Sequence, residues 1–175
     1  NQELRKAEEQ YRLSFENIND IIFTFDMDLK IISISPSVEK FVGYKADYFI
    51  GKSVSDFRSI LQPKSMKQAT NHIRRIMNGE VLPPMIYELI PKDDTMKIIE
   101  IDATMIKQDG KSAGIVCVSR DITERRNAEE SLRDSEERFR LLAESSPTAI
   151  LMYQNDKWIY ANPAATEITG YTNQE

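Results

Sequence analysis

The spacing of hydrophobic residues separates segments with the two-residue period of a strand from segments with a helical period. Runs rich in β-branched and aromatic residues, bounded by polar turns, predict five strands at residues 21–25, 31–34, 85–90, 96–106 and 114–119. Spacings of three and four predict a short helix from Pro36 and a longer helix from Pro63 to Asn78-Gly79. This order predicts an α+β fold, a five-stranded antiparallel sheet with helices on one face.

Charged segments with a narrow apolar stripe flank this region and predict amphipathic linker helices at residues 1–15 and 123–143. Such a stripe, on a helix otherwise covered by Glu, Arg and Lys, suits pairing with another helix, which would make the protein a homodimer. The alternative is that each helix packs its stripe on its own domain. The stripe residues are Leu4, Ala7, Tyr11, Ser14 and Ile18 in the first helix and Ala128, Leu132, Ser135, Phe139 and Leu142 in the second.

The chain also repeats part of itself. Residues 4–22 reappear at 132–150 with an offset of 128, which becomes 127 after one deletion in a turn. The repeated unit is a whole domain with its linker, so we expect one domain at residues 16–122 and a second, truncated copy at 144–175. The second copy is too short to form a core. Identical pairs include Leu4 and Leu132, Glu8 and Glu136, Arg12 and Arg140, Pro36 and Pro163, and Gly43 and Gly170.

Composition limits the functions that the sequence supports. The chain has 175 residues, with 23 Lys and Arg against 28 Asp and Glu, and a net charge of −5. Because the two signs are mixed, a nucleic-acid partner is not expected. No apolar run approaches the roughly 18 residues that span a membrane, and no leader pattern opens the chain. We expect a cytoplasmic segment without membrane contact, in a parent that can itself be membrane-anchored.

Three local motifs, in their order and spacing, resemble the PAS sensory domain of the PAS-PAC type. They are Asp121-Ile122-Thr123-Glu124-Arg125-Arg126 at the end of the last strand, Pro36 with Gly43-Tyr44, and Asp109-Gly110 with Gly114. The resemblance covers residues 16–123, and a second copy begins near Glu144. Ser35 departs from the pattern, since the second copy has the commoner Asn162 at that place. The resemblance implies a PAS fold in a multidomain sensor with tandem PAS repeats, and a sensor histidine kinase as the parent.

The Asp121-Ile122-Thr123 segment joins the last strand to the second linker helix. Asp121 or Thr123 can accept hydrogen bonds from free amides of that helix, and Asp121 with Glu124 has capping-box spacing. In PAS proteins this junction passes a change in the sheet to the output helix. The resemblance therefore implies a role in signal transmission for Asp121, Ile122 and Thr123, and the alternative is a plain helix cap.

Residues suited to haem, flavin, metal or catalytic chemistry are few. His72 is the only histidine, and its place beside Ile73 predicts that it faces solvent, so a haem ligand is not expected. Cys117 alternates with apolar residues on a strand and is expected to pack as a small hydrophobe. The Gly-x-Asn-Cys motif of photoactive flavin domains is missing. No cofactor, metal site or catalytic residue is predicted for this segment.

An apolar pocket is the remaining candidate for a functional site. If the inner faces of the fourth and fifth strands turn toward the helices, they would line a pocket for an unidentified small ligand. The alternative is a filled core without a cavity. The predicted lining residues are Phe41, Ile73, Ile76, Ile99, Ile101, Ile115 and Cys117.

The sequence as a whole predicts a sensory module of a signal-transduction receptor. It would detect a small ligand or a partner and act through a dimerising helix on a downstream kinase or other output domain. One alternative is a ligand-free dimerisation spacer. Another is a PAS sensor that serves a cyclic-dinucleotide enzyme or a transcription regulator.

Overall fold

A computed structural model describes residues 20–155 and 157–170, which divide into one unit up to Glu124 and another from Arg125. The linker helix predicted at residues 1–15, with its stripe from Leu4 to Ile18, lies outside the described residues.

Five antiparallel strands form the sheet of the first unit, as the strand periods predict. They are β1 (Ile21–Phe25), β2 (Ile31–Ile34), β3 (Met85–Leu89), β4 (Lys97–Gln108) and β5 (Lys111–Asp121). Their order across the sheet is β2-β1-β5-β4-β3, so β5 lies in the centre between β1 and β4. β4 and β5 are longer than their apolar runs, because their ladder continues through polar residues to the hairpin at Gln108 and Lys111.

Two helices connect β2 to β3. Helix α1 (Ser37–Val42) ends at Gly43, which has a φ of 76° in the left-handed region that glycine adopts most readily. Helix α2 (Pro63–Met77) has proline in its first turn. Both ends match the sequence signals. Two short 3-10 turns, Ala46–Tyr48 and Val54–Asp56, lie between the helices.

The core of the first unit lies between one face of the sheet and these helices. It buries side chains from every strand of the sheet and from α1 and α2. Phe49 and Phe57, which directly follow the two 3-10 turns, are buried there as well. The most deeply buried include Phe25, Ile31, Val38, Val42, Ile76, Ile99, Ile115 and Cys117.

The second unit consists of most of helix α3 (Thr123–Ser145), strands β6 (Leu151–Gln154) and β7 (Lys157–Ala161), and helix α4 (Pro163–Thr169). β6 and β7 pair only with each other among the described strands. Helix α3 is strongly charged. No helix in the described ranges is long and apolar enough to cross a membrane. Large apolar side chains of this unit are exposed, namely Leu151, Tyr153, Trp158, Ile159 and Ile168.

Ser35 and Asn162 occupy equivalent places in the two units, before α1 and α4, and both are fully buried. The backbone N–H of Ser35 donates to the carbonyl of Ile22 at 2.8 Å, and Ser35 Oγ accepts from the N–H of Ile22 at 2.9 Å. Asn162 makes the same two bonds with Ile150, at 3.0 and 2.8 Å. The shorter serine therefore keeps the acceptor function of the asparagine.

The donor function of the asparagine passes to a second serine. Asn162 Nδ2 donates to the carbonyl of Thr148 at 2.9 Å. At the corresponding place Ser37 Oγ donates to the carbonyl of Asp20 at 3.0 Å, and it lies 2.7 Å from Ser35 Oγ. A pair of serines thus replaces one asparagine, and the departure at Ser35 leaves the local structure intact.

Candidate functional site

A cavity of about 140 Å³ lies in the core of the first unit, between the sheet and helices α1 and α2. Hydrophobic side chains line most of it. Space remains because several lining side chains are small, namely Ala69 on α2, Ala103 on β4, and Cys117 and Ser119 on β5. The core therefore contains a cavity. The alternative that the sequence left open, a filled core, is not what the structure shows.

Six of the seven residues predicted to line a pocket do line this cavity: Phe41, Ile73, Ile76, Ile99, Ile101 and Cys117. Ile115 does not. It is buried in the core but lies opposite Phe25 and Met105. It lies two pairs along the ladder from Cys117, and its side chain packs in the core without bordering the cavity. Whether a ligand occupies the cavity stays a prediction.

His72 lies on the cavity, so the expectation that it faces solvent is wrong. That expectation rested on the offset of about 100° between His72 and Ile73 around the helix. His72 is also three residues after Ala69 and four before Ile76, and both of these line the cavity. The ring is half-buried, with Nδ1 2.8 Å from the hydroxyl of Tyr87, which the sequence pattern had not singled out.

The pair formed by His72 and Tyr87 is uncharged near neutral pH. Burial lowers the pKa of His72 below its ordinary value, and the positive charge of Arg75 lowers it further. Burial raises the pKa of Tyr87. The Tyr87 hydroxyl also lies 3.6 Å from the sulfur of Met85. Both groups are therefore neutral, and His72 Nδ1 and the Tyr87 hydroxyl are hydrogen-bonded to each other.

The depressed pKa of His72 predicts that the first unit loses stability as the pH falls. The unfolded chain, with a histidine pKa near 6.5, takes up the proton before the folded state does. The contribution of neutral His72 is complete above that value and is lost as the pH falls through the folded-state pKa. Unfolding free energies of the wild type and of His72→Gln, compared at several pH values between 7.5 and 5, measure it. Equal pH dependence of the two proteins would contradict it, since Gln does not titrate.

Two further side chains of the cavity come from β5. Burial raises the pKa of the Cys117 thiol to about 12, so the thiol stays protonated and packs as a small apolar group. Ser119 is 3% exposed, and its hydroxyl has no hydrogen-bond partner among the described residues. The two-residue period places Ser119 on the same face as Cys117. The missing partner is visible only in three dimensions.

The volume of the cavity limits what it holds. Pockets for drug-sized ligands have volumes of about 300 to 1,000 Å³, and this cavity has about 140 Å³. The ring systems of haem and flavin do not fit between the side chains as they stand.

The Asp121-Ile122-Thr123 junction is tied to β4 through Ile98. The N–H of Ile122 donates to the carbonyl of Ile98 at 3.0 Å, and the N–H of Ile98 donates to Thr123 Oγ1 at 2.9 Å. The Asp121 carboxylate accepts from the N–H of Thr123 at 2.8 Å and from its hydroxyl. Thr123, the first residue of α3, is thereby held against a strand that lines the cavity.

Two family models match the chain. A model described as the PAS fold matches residues 15–127, more than half of the chain, and a model described as the PAS domain matches residues 137–175. The chain belongs to the PAS family. The second PAS match covers the region in which the internal repeat predicts a second copy.

Relatives of this PAS chain include proteins named as kinases and cyclases. It is 24% identical to sporulation kinase E of Bacillus subtilis over 174 residues, which are 99% of this chain but only 22% of the kinase. A sensory box histidine kinase/response regulator structure from Burkholderia thailandensis is 16% identical, with a TM-score of 0.57, and 76% of this chain and 99% of that chain are covered. The N-terminal domain of a diguanylate cyclase with a PAS/PAC sensor from Marinobacter aquaeolei is 17% identical, with a TM-score of 0.54 and coverage of 61% and 98%. The two structures share the PAS fold with this chain.

Proposed function

We propose that this PAS domain is a sensory module that binds a small molecule in the cavity and signals through the Asp121-Ile122-Thr123 junction. The observation that carries the proposal is that β4 contributes to both places. Ile99 lines the cavity, and the adjacent Ile98 is hydrogen-bonded to Ile122 and to Thr123. A ligand that displaces Ile99 would therefore displace the anchor of α3 as well.

Replacing Asp121 with alanine tests the transmission step. Because the carboxylate accepts from the N–H and the hydroxyl of Thr123, its removal should cost about 1 kcal/mol of stability, the usual value of a helix cap. We expect it also to abolish the response of the full-length parent protein to ligand. Urea unfolding and a ligand-dependent output assay measure the two effects.

The matched control for this test is Asp134→Ala, which removes an exposed carboxylate from the middle of α3. Its stability should change by less than about 0.5 kcal/mol, and its response to ligand should stay that of the wild type. If Asp121→Ala leaves stability and response unchanged, the junction does not transmit the signal.

We propose a sensor histidine kinase as the parent, with this module upstream of the kinase in the cytoplasm. The alignment of 99% of the chain with sporulation kinase E supports it. The diguanylate cyclase relative keeps a cyclic-dinucleotide enzyme open as the alternative, and a transcription regulator is another. The residues that follow Glu175 in the parent decide between them. A phospho-accepting histidine helix would support the kinase, and a nucleotide cyclase or DNA-binding domain would contradict it.

We also propose that α3 acts in a homodimer. Every side chain from Glu124 to Leu142 is exposed, including Leu132 and Phe139 of the predicted apolar stripe. An exposed narrow stripe suits pairing with the same helix of a second copy. A ligand-free spacer would dimerise in the same way, but no small molecule would stabilise its fold.

A further inference from the structure

Ser119 brings an unpaired hydroxyl to the wall of the cavity. Its side chain is 3% exposed, and its Oγ has no hydrogen-bond partner among the described residues. Burial of a hydroxyl without a partner is destabilising, because the bonds it made with water are not replaced. Ser119 faces the core between Ile21 on β1 and Ile101 on β4, where an apolar residue would pack without this cost.

Buried serines with a purely structural role look different in this fold. Ser65 is also 3% exposed, but its Oγ accepts the N–H of Glu88 at 2.9 Å. A bound water is a poor partner for Ser119. A buried water makes about two to four hydrogen bonds, so it would need further polar partners besides the Ser119 hydroxyl. Of the other polar groups on the cavity, His72 Nδ1 and the Tyr87 hydroxyl are already bonded to each other. The missing partner of Ser119 therefore points to a ligand.

The size and charge of the cavity define the class of that ligand. Its volume of about 140 Å³ is close to that of an apolar cavity of about 150 Å³ that binds benzene in another protein. Of the described residues, no Asp, Glu, Lys or Arg lines it. A charged molecule would lose its hydration there without gaining a counter-charge. The burial that lowers the pKa of His72 keeps that side chain neutral too.

We propose that the cavity binds a small neutral molecule of about the size of phenol, apolar over most of its surface, with one hydroxyl or carbonyl group hydrogen-bonded to Ser119. This inference rests on the proposed sensory function and names the class of its ligand. Ser119 lies two residues before Asp121 on the same face of β5. A ligand held by Ser119 therefore acts on the end of the strand that leads into α3.

NMR titrations of the chain with phenol, toluene and benzoate test the proposal. Phenol and toluene have similar sizes and differ in the hydroxyl group, and benzoate adds a charge. In Ser119→Ala, phenol should bind about five- to tenfold more weakly than in the wild type, while toluene should bind as well or better. Benzoate should bind wild type at least about tenfold more weakly than phenol.

Two control variants accompany the titrations. Ser65→Ala, which removes an equally buried but bonded hydroxyl, should leave the phenol affinity unchanged. Ala103→Leu, which fills the cavity, should abolish phenol binding. Ser119→Ala is expected to fold, because it removes a group without a partner.

Several outcomes would overturn the proposal. If Ser119→Ala changes the affinities for phenol and toluene equally, Ser119 does not bond the ligand. If Ala103→Leu still binds phenol, the binding site is not this cavity. Benzoate binding more tightly than phenol would overturn the neutral class while leaving the sensory function standing. If none of the three compounds binds, the proposed ligand class is contradicted, while the sensory function, which does not depend on this class, is tested separately by Asp121→Ala.

Discussion

Replacing Gly114 with alanine should destabilise the first PAS unit by about 3 kcal/mol or more. A Cβ atom at Gly114 would overlap the backbone carbonyl oxygen of Phe25 on the neighbouring strand. The obstacle is backbone rather than a flexible side chain, so relief requires β1 and β5 to separate. Urea unfolding followed by circular dichroism measures the loss.

Gly51→Ala is the matched control for this substitution. Gly51 has a φ of +77°, and an added Cβ would meet open space. Alanine there should cost about 1 kcal/mol, from the left-handed backbone conformation alone. A loss at Gly114 no larger than the loss at Gly51 would mean that the close approach of β1 and β5 is not required by the fold.

Replacing Asn162 with alanine should destabilise the second unit by a similar amount, about 3 kcal/mol. The fully buried amide donates to the carbonyls of Ala143 and Thr148 at 2.8 and 2.9 Å. Its oxygen accepts from the N–H groups of Ile150 and Ala165 at 2.8 and 3.0 Å. Alanine would leave these backbone groups without their partner in Asn162, and an unpaired buried polar group is costly.

Amide hydrogen exchange measures this effect within the second unit. In Asn162→Ala, the amides of Ile150 and Ala165 should exchange about 100-fold faster or more. The control is Asn127→Ala, at an exposed position of α3, where the change in stability should stay within about 0.5 kcal/mol. Unchanged exchange at Ile150 and Ala165 in Asn162→Ala would show that the amide does not hold this unit together.

The hydrophobic pattern was sufficient to predict the sheet and both helices of the first unit, because each element buries one face and ends at a recognisable residue. Helix α2 begins at Pro63 and α1 stops at Gly43, as expected. Asp109 and Gly110 have the positive φ angles of a tight hairpin. The end of β5 was less predictable, since its ladder with β4 persists through polar residues to Asp121.

The polar wall of the cavity could not be predicted from the pattern, because it depends on which side chains of different elements meet. The offset of His72 from Ile73 predicted that it faces solvent, but its ring lies on the cavity and is bonded to Tyr87 on β3. Ser119 stands out because its hydroxyl has no hydrogen-bond partner among the described residues. The positions of all its neighbours must be known before such an absence can be recognised. Ile115 was correctly placed on the core-facing side of β5, but which core residues border the cavity depends on how neighbouring side chains pack, and the strand period does not determine that.

Amide hydrogen exchange at Ile98 and Ile122, with and without saturating phenol, tests most directly whether occupation of the cavity reaches α3. Both amides belong to the hydrogen bonds that hold the junction against β4. We expect phenol to change both exchange rates by at least about threefold, and to leave the rates at the hairpin tip around Asp109 and Gly110 unchanged. Unchanged rates at Ile98 and Ile122, with phenol bound in the cavity, would contradict transmission through this junction.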